Sequence, residues 1–159
     1  MTRRSVDWQA VTAKLLAMRH ALEDLQLIGV DLGWWEQPQA SGDRTDVPSE
    51  RIKALAVERI LILVVDLAVD INNHVAAAVL REVADDYKLT FPLAAKAGMI
   101  SRELADKLAP SAGTRNILVH QYLDVDPHRI VLAASLAVEQ YGDYVRQVQA
   151  YVQNKSGGR

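Results

Sequence analysis

The chain has no cysteine among its 159 residues. This absence excludes a disulfide framework, thiolate metal sites and cysteine nucleophiles, and it fits a reducing compartment, so we expect a cytoplasmic protein. Glycine and proline are scarce, with 8 and 5 residues, which predicts few turns and long elements between them. Sequence motifs of dinucleotide-binding proteins, P-loop enzymes, serine hydrolases and zinc proteases are also missing.

Neither sign of charge predominates, and the formal net charge is −2. A chain with this balance is not a general polyanion binder, so any contact with nucleic acid must be local. No secretory leader is expected, because polar residues follow the basic first four. The apolar run at residues 60–80 contains Asp66 and Asp70, and each costs about 2.5–3.5 kcal/mol at the centre of a bilayer. We therefore expect a buried helix and no contact with a membrane.

Helical spacing of apolar residues predicts a first helix at residues 6–29 and a second at 49–83. The loop between them contains a tryptophan pair, Trp34-Trp35, which we expect to cover an edge of the core; a stacking platform for bases is the alternative. A polar connection at 84–90 and a short helix at 91–99 follow.

Helix signals continue in the last third of the chain. Ser101 is a candidate N-cap for a fourth helix, which Pro110 should kink or restart. Asp126-Pro127 predicts the start of the last helix. Its apolar residues step alternately by four and three, which is typical of helix packing in a bundle. They are Ile130, Ala134, Ala137, Tyr141, Tyr144, Val148 and Tyr151.

These patterns predict one all-α domain over residues 1–159, an up-and-down bundle of four to five helices. No segment shows the alternation of a strand. From Ile60 onward the second helix is apolar on nearly every side. A helix of this kind must be covered all round, and in so short a chain the natural cover is a partner subunit. We therefore expect a homodimer.

Groups suited to phosphodiester chemistry concentrate at residues 115–122, RNILVHQY. Asn116 and His120 share one face of a helix, and Arg115 reaches back from the adjacent position. Arginine offers a permanently charged fork for a phosphate, and histidine passes protons near neutral pH. These groups suffice for metal-free cleavage of RNA, whose 2′-OH is the nucleophile. Alternatively, Arg115 pairs with a carboxylate, His120 caps a helix and Tyr122 packs.

A second polar stripe lies inside the second helix, where Asp66, Asp70 and His74 are spaced by four residues. Carboxylate and imidazole groups at this spacing can chelate a metal, but the matching ligands that bundle metal sites take from other helices are missing. The stripe is otherwise a hydrogen-bonded seam, or Asp66 or Asp70 lies opposite Arg115 and orients it, because buried carboxylates need partners. We predict no metal and no other cofactor.

Together, these segments resemble the HepT-like ribonuclease toxins of the HEPN (higher eukaryotes and prokaryotes nucleotide-binding) superfamily. RNILVHQY resembles the family signature Arg-Asn-x-x-x-His-x-Tyr. Residues 57–74 resemble its long apolar second helix with an internal acidic residue, residues 91–110 its Phe-x-x-Leu-Ala-x-x-Gly segment, and residues 123–130 the opening of its last helix. The resemblance covers residues 49–152.

The resemblance implies a homodimer formed through the second helix and the signature region, with the two signatures facing each other in a cleft that cleaves RNA without metal. By position, Arg115 binds the scissile phosphate, His120 is the general acid and base, and Asn116 supports the geometry. Asp66 and Asp70 both fit the family's acidic position.

The resemblance also implies a partner, a minimal nucleotidyltransferase antitoxin. Tyr122 matches the residue that this partner modifies with AMP to silence the toxin. Two alternatives stay open at this point. In the first, the chain is a non-catalytic nucleotide- or protein-binding partner of such a nucleotidyltransferase. In the second, it is a metal-binding helical bundle.

Overall fold

Six helical segments and no strand make up the residues that the computed structural model describes, which are 5–29, 48–120 and 126–157. The tryptophan pair of the first loop lies outside these ranges. The segments are α1 (Trp8–Ile28), α2 (Pro48–Val79), α3 (Tyr87–Lys96), α4 (Arg102–Leu108), α5 (Ser111–His120) and α6 (Pro127–Ser156). Only two residues separate α4 from α5, so these are the halves of the predicted fourth helix. The all-α bundle and the restart at Pro110 are confirmed.

Side-chain caps fix the beginnings of α1, α4 and α6. Asp7 caps α1 by accepting a backbone N–H at 3.0 Å. Ser101 does the same for α4 at 3.1 Å, and Asp126 for α6 at 3.0 Å. Each cap satisfies a donor that has no partner inside its helix. The helix starts predicted at Ser101 and Asp126 are thereby confirmed.

The end of α2 differs from the prediction, because the helix stops at Val79 rather than near residue 83. Arg81 adopts a φ of 61°, and the N–H of Glu82 bonds back to the carbonyl of Ala76 at 3.5 Å. The chain thus leaves the helix at a left-handed residue, a position that glycine usually takes at helix C-termini. An arginine there gives no stop signal, so the sequence could not reveal this end.

The start of α3 also differs, since the helix begins at Tyr87 and not at residue 91. Asp86 caps it by accepting the N–H of Lys88 at 2.8 Å. Both polar atoms of the Asn73 side chain bond the backbone of Ala84 at 3.0 Å and hold the connection against α2. The polar first turn of α3 hid the helical pattern, and the predicted polar connection is correspondingly shorter.

The predicted stripe of α6 faces the core. All its members are buried except the last, which is half-buried. Two of its tyrosines contact each other edge to face, with ring centroids 6.0 Å apart. The stripe therefore packs as the spacing predicts.

The central helix of the bundle is α2, which packs against α1, α3, α5 and α6. These neighbours bury most of its apolar middle, so that stretch does not by itself require a partner subunit, contrary to the argument from sequence. The large apolar side chains that α2 exposes lie near its ends, at Ile52, Leu55 and Val79. No helix among the described residues has both the length and the apolar character needed to cross a bilayer.

Candidate active site

Arg115 projects from the middle of α5 towards α2, where it meets Asp66. Its Nε donates to Asp66 Oδ1 at 2.8 Å, and its Nη2 lies 3.5 Å from Oδ2. The two side chains are 19% and 35% exposed, so the pair is largely shielded. Because the carboxylate occupies the Nε edge of the guanidinium, the Nη1 edge keeps its donors for another acceptor.

The same guanidinium lies over the aromatic ring of Tyr87. The Cζ atom of Arg115 is 4.9 Å from the ring centroid of Tyr87, within the range of a cation–π interaction. Tyr87 is the first residue of α3 and is half-buried. Tyr87 falls within the polar connection predicted at residues 84–90, where a lone aromatic residue is the one sequence signal of its contact with Arg115.

The rest of the α2 stripe faces α1 instead. Asp70 Oδ2 accepts from Lys14 Nζ at 2.9 Å in a largely exposed ion pair, and His74 Nε2 accepts the backbone N–H of Asp7 at 3.0 Å. The acidic residue beside Arg115 is therefore Asp66 and not Asp70. The three side chains of the stripe thus bind different partners, and across the described ranges no group of three or more His, Asp or Glu side chains could hold a metal ion.

Asn116 and His120 lie on the exposed side of α5, and His120 is its last residue. In an ideal helix the step from Arg115 to His120 turns about 140° and rises about 7.5 Å. The arginine thus leaves α5 towards the bundle, while the imidazole leaves it towards solvent near the helix end. Tyr122 lies outside the described residues.

A cavity of about 100 Å³ adjoins Arg115 between α2, α5 and α6. Ser111 Oγ donates to the carbonyl of Leu108 at 2.6 Å, so the Tyr141 hydroxyl, 2.6 Å away, donates to Ser111. Burial raises the pKa of the Tyr141 phenol, which keeps it a donor. The exposed Leu136 borders the cavity. The arginine therefore has one open side with mainly apolar surroundings.

A buried polar network anchors the start of α3. The Tyr144 hydroxyl donates to Asn72 Oδ1 at 2.8 Å, and Asn72 Nδ2 donates to Thr90 Oγ1 at 3.3 Å. The Thr90 hydroxyl in turn donates to the carbonyl of Tyr87 at 2.7 Å. Burial raises the pKa of Tyr144 well above its ordinary value, so its hydroxyl stays protonated. The network connects α6 through α2 to the residue that lies over the guanidinium.

Comparisons with known proteins agree with this architecture. Residues 18–148 match the family model for ribonuclease HepT-like proteins. The tRNA nuclease HepT of Aphanizomenon flos-aquae is 39% identical over 98 residues, which cover 62% of this chain and 67% of that protein.

Solved structures share the fold at low identity. The tri-AMPylated HEPN toxin of Shewanella oneidensis in complex with MNT antitoxin has a TM-score of 0.71 at 19% identity, covering 89% of this chain and 97% of that one. The Bacillus subtilis cytosolic protein of unknown function YutE has a TM-score of 0.69 at 19% identity, covering 97% and 96%. The bundle is therefore the fold found in a HEPN toxin.

Proposed function

The chain belongs to the ribonuclease HepT-like family, and on that premise we propose that it is a metal-independent endoribonuclease toxin. The observation that carries the proposal is the Arg115 guanidinium, which Asp66 holds along one edge and whose other edge has no hydrogen-bond acceptor among the described residues. A fixed, permanently charged fork of this kind suits the phosphate of an RNA backbone. The relative that is a tRNA nuclease makes transfer RNA the first substrate class to test.

In the proposed reaction, His120 accepts the proton of the ribose 2′-OH, whose oxygen bonds to the adjacent phosphorus. Arg115 donates to the non-bridging oxygens and stabilises their negative charge in the transition state. The P–O5′ bond breaks, and the leaving oxygen takes up a proton. The products are a 2′,3′-cyclic phosphate and a 5′-OH. Asn116, on the face of α5 that carries His120, supports the position of the substrate.

The proposed enzyme is a homodimer whose two signatures face each other. Arg115 and His120 leave the same helix about 140° apart. In the proposed dimer, the facing subunit therefore adds its own His120 to the cleft, and this second imidazole protonates the leaving oxygen. Exposed apolar side chains near the cavity support an interface there: Leu132 is 55% and Leu136 41% exposed on α6. Burying apolar surface gains about 25 cal/mol per Å². Ile52 and Leu55 at the start of α2 extend the proposed interface.

We assign regulation to Tyr122 and to a cognate minimal nucleotidyltransferase antitoxin, with both proteins in the cytoplasm. A structural neighbour that is tri-AMPylated and bound to MNT antitoxin supports this partner class. Tyr122 follows His120 by two residues. AMP on its hydroxyl places a negative phosphate close to where the RNA phosphate binds, so that charge repulsion and bulk exclude the substrate.

The test is cleavage of end-labelled transfer RNA in EDTA. Removing a general acid and base lowers the rate about 10²- to 10⁴-fold, so we expect His120→Ala to cut at or below the limit of detection and still form a dimer. Arg115→Ala should be similarly impaired, and His20→Ala, which removes an exposed histidine of α1, should match wild type. The fragments should end in 2′,3′-cyclic phosphate.

Three results contradict the proposal. The first is cleavage by His120→Ala at the wild-type rate, and the second is cleavage that EDTA abolishes. The third is a wild-type protein that cuts no RNA but accepts AMP on Tyr122 from the nucleotidyltransferase, which identifies a non-catalytic partner.

A further inference from the structure

We propose that Tyr87 is a positioning residue of the cleavage site, whose ring keeps the Arg115 guanidinium in the plane that presents its Nη1 edge to the scissile phosphate. This inference rests on the proposed function and adds to it a residue outside the signature. Tyr87 lies on α3, whereas the described residues of the signature, 115–120, are on α5.

The contacts of Arg115 show why a second support is needed. Of its two contacts with Asp66, one is short at 2.8 Å and the other is long at 3.5 Å. A carboxylate bound along one edge limits sliding in the guanidinium plane, but the plane can still tilt about that edge. The Tyr87 ring, whose centroid is 4.9 Å from Cζ, blocks the movement of the guanidinium towards α3 that this tilt requires. Carboxylate and ring therefore restrict different motions.

The chemistry of the ring suits a phosphate site. A second carboxylate beside Arg115 would also hold it, but its charge would repel the substrate. An aromatic face attracts the guanidinium through its quadrupole and carries no net charge. Asp66 is the one carboxylate that pairs with Arg115 in the described part of the chain. The ring thus adds rigidity without adding a negative charge.

The backbone that carries the ring is itself fixed. The carbonyl of Tyr87 accepts the Thr90 hydroxyl at 2.7 Å, and Thr90 belongs to the fully buried network with Asn72. Asp86 caps the same helical turn. Because the turn that carries Tyr87 is hydrogen-bonded to the core, the ring keeps its position when the arginine moves and limits that movement.

The first readout is the kcat for transfer RNA cleavage. The interaction energies typical of cation–π pairs predict that Tyr87→Leu lowers kcat about 3- to 30-fold. Tyr87→Phe, which keeps the ring, should retain nearly all activity, and Tyr87→Met provides a second non-aromatic variant if the leucine variant folds poorly. The matched control is Tyr151→Leu, which removes a half-buried tyrosine whose ring lies 5.6 Å from Lys155 Nζ on α6. It should leave kcat unchanged.

The second readout does not depend on activity. The Nε–H resonance of Arg115, assigned by its loss in Arg115→Lys, should carry a ring-current shift from Tyr87. We expect Tyr87→Leu and Tyr87→Met to move this resonance and to broaden it, while Tyr87→Phe and Tyr151→Leu leave it in place. Loss of the ring removes its ring-current shift in either case, so the line width discriminates: a purely structural role for Tyr87 predicts lower thermal stability with a shifted resonance that stays as sharp as in wild type.

Two results overturn the inference. In the first, Arg115→Ala is inactive but the non-aromatic variants at Tyr87 keep the wild-type kcat and the wild-type line width of the Arg115 resonance. In the second, Tyr151→Leu slows cleavage as much as Tyr87→Leu does, so that the loss reflects general destabilisation. Equal cleavage by wild type and Arg115→Ala overturns the proposed function instead, and the resonance then still reports whether the ring holds the guanidinium.

Discussion

Replacing Tyr144 by phenylalanine removes one oxygen atom from the centre of the bundle and should measurably lower the free energy of unfolding. The lost hydroxyl donates to Asn72 Oδ1 at 2.8 Å, and both residues are 0% exposed. A buried acceptor left without its donor costs about 1–3 kcal/mol. The ring itself still fits, so no cavity adds to this figure. For a chain of this length, the expected fall in Tm is about 2–12 °C.

The control is the same substitution at Tyr141, one helical turn away. There Ser111 keeps its bond to the carbonyl of Leu108, and the adjoining cavity of about 100 Å³ can admit water to replace the hydroxyl. We therefore expect Tyr141→Phe to cost less than about 1 kcal/mol. Urea unfolding at fixed protein concentration, with unchanged m-values, measures both variants. If Tyr144→Phe proves no more destabilising than Tyr141→Phe, this account of the network is refuted.

Two further predictions concern the surface. Leu136→Asp, beside the cavity next to Arg115, should convert the dimer to a monomer in light scattering and abolish cleavage without loss of helical circular dichroism. Leu27→Asp, on the exposed side of α1, should remain a dimer. If Leu136→Asp is also still a dimer, the interface lies elsewhere. Arg81→Gly should raise the free energy of unfolding by up to about 1 kcal/mol, because a residue with a side chain is strained at a φ of 61°. A lower thermal stability of the glycine variant would mean that the arginine side chain makes a compensating contact.

The parts of the fold that were predictable from sequence depend on local signals. Asp126 and Ser101 predict where their helices begin, because a capping side chain bonds a backbone N–H within three residues of itself. Pro110 marks the break between α4 and α5 for a similarly local reason. Arg81 gives no such signal, because arginine rarely adopts the left-handed conformation that ends α2 here.

The candidate site was predictable only in part, because its geometry is tertiary. Arg115 stands out by its neighbours in sequence, but the choice between Asp66 and Asp70 depends on which side of α2 faces α5 and which faces α1. The helical period places both carboxylates on one stripe, and only the packing separates their partners. Tyr87 could not be assigned at all from the sequence. Its proposed role depends on its contact with Arg115, which lies on another helix and 28 residues further along the chain.

The shortness of α3 has a consequence for how such a site fails. This helix spans ten residues, and Pro92 inside it lacks the amide that would close one more backbone bond. Segments with so few internal bonds open locally at a free-energy cost below that of global unfolding. Local opening of α3 has to break the Thr90 bonds that hold its first turn to the core. Once they are broken, Tyr87 no longer supports the guanidinium, although the rest of the bundle stays folded. The proposed activity would then be lost through a motion much smaller than denaturation.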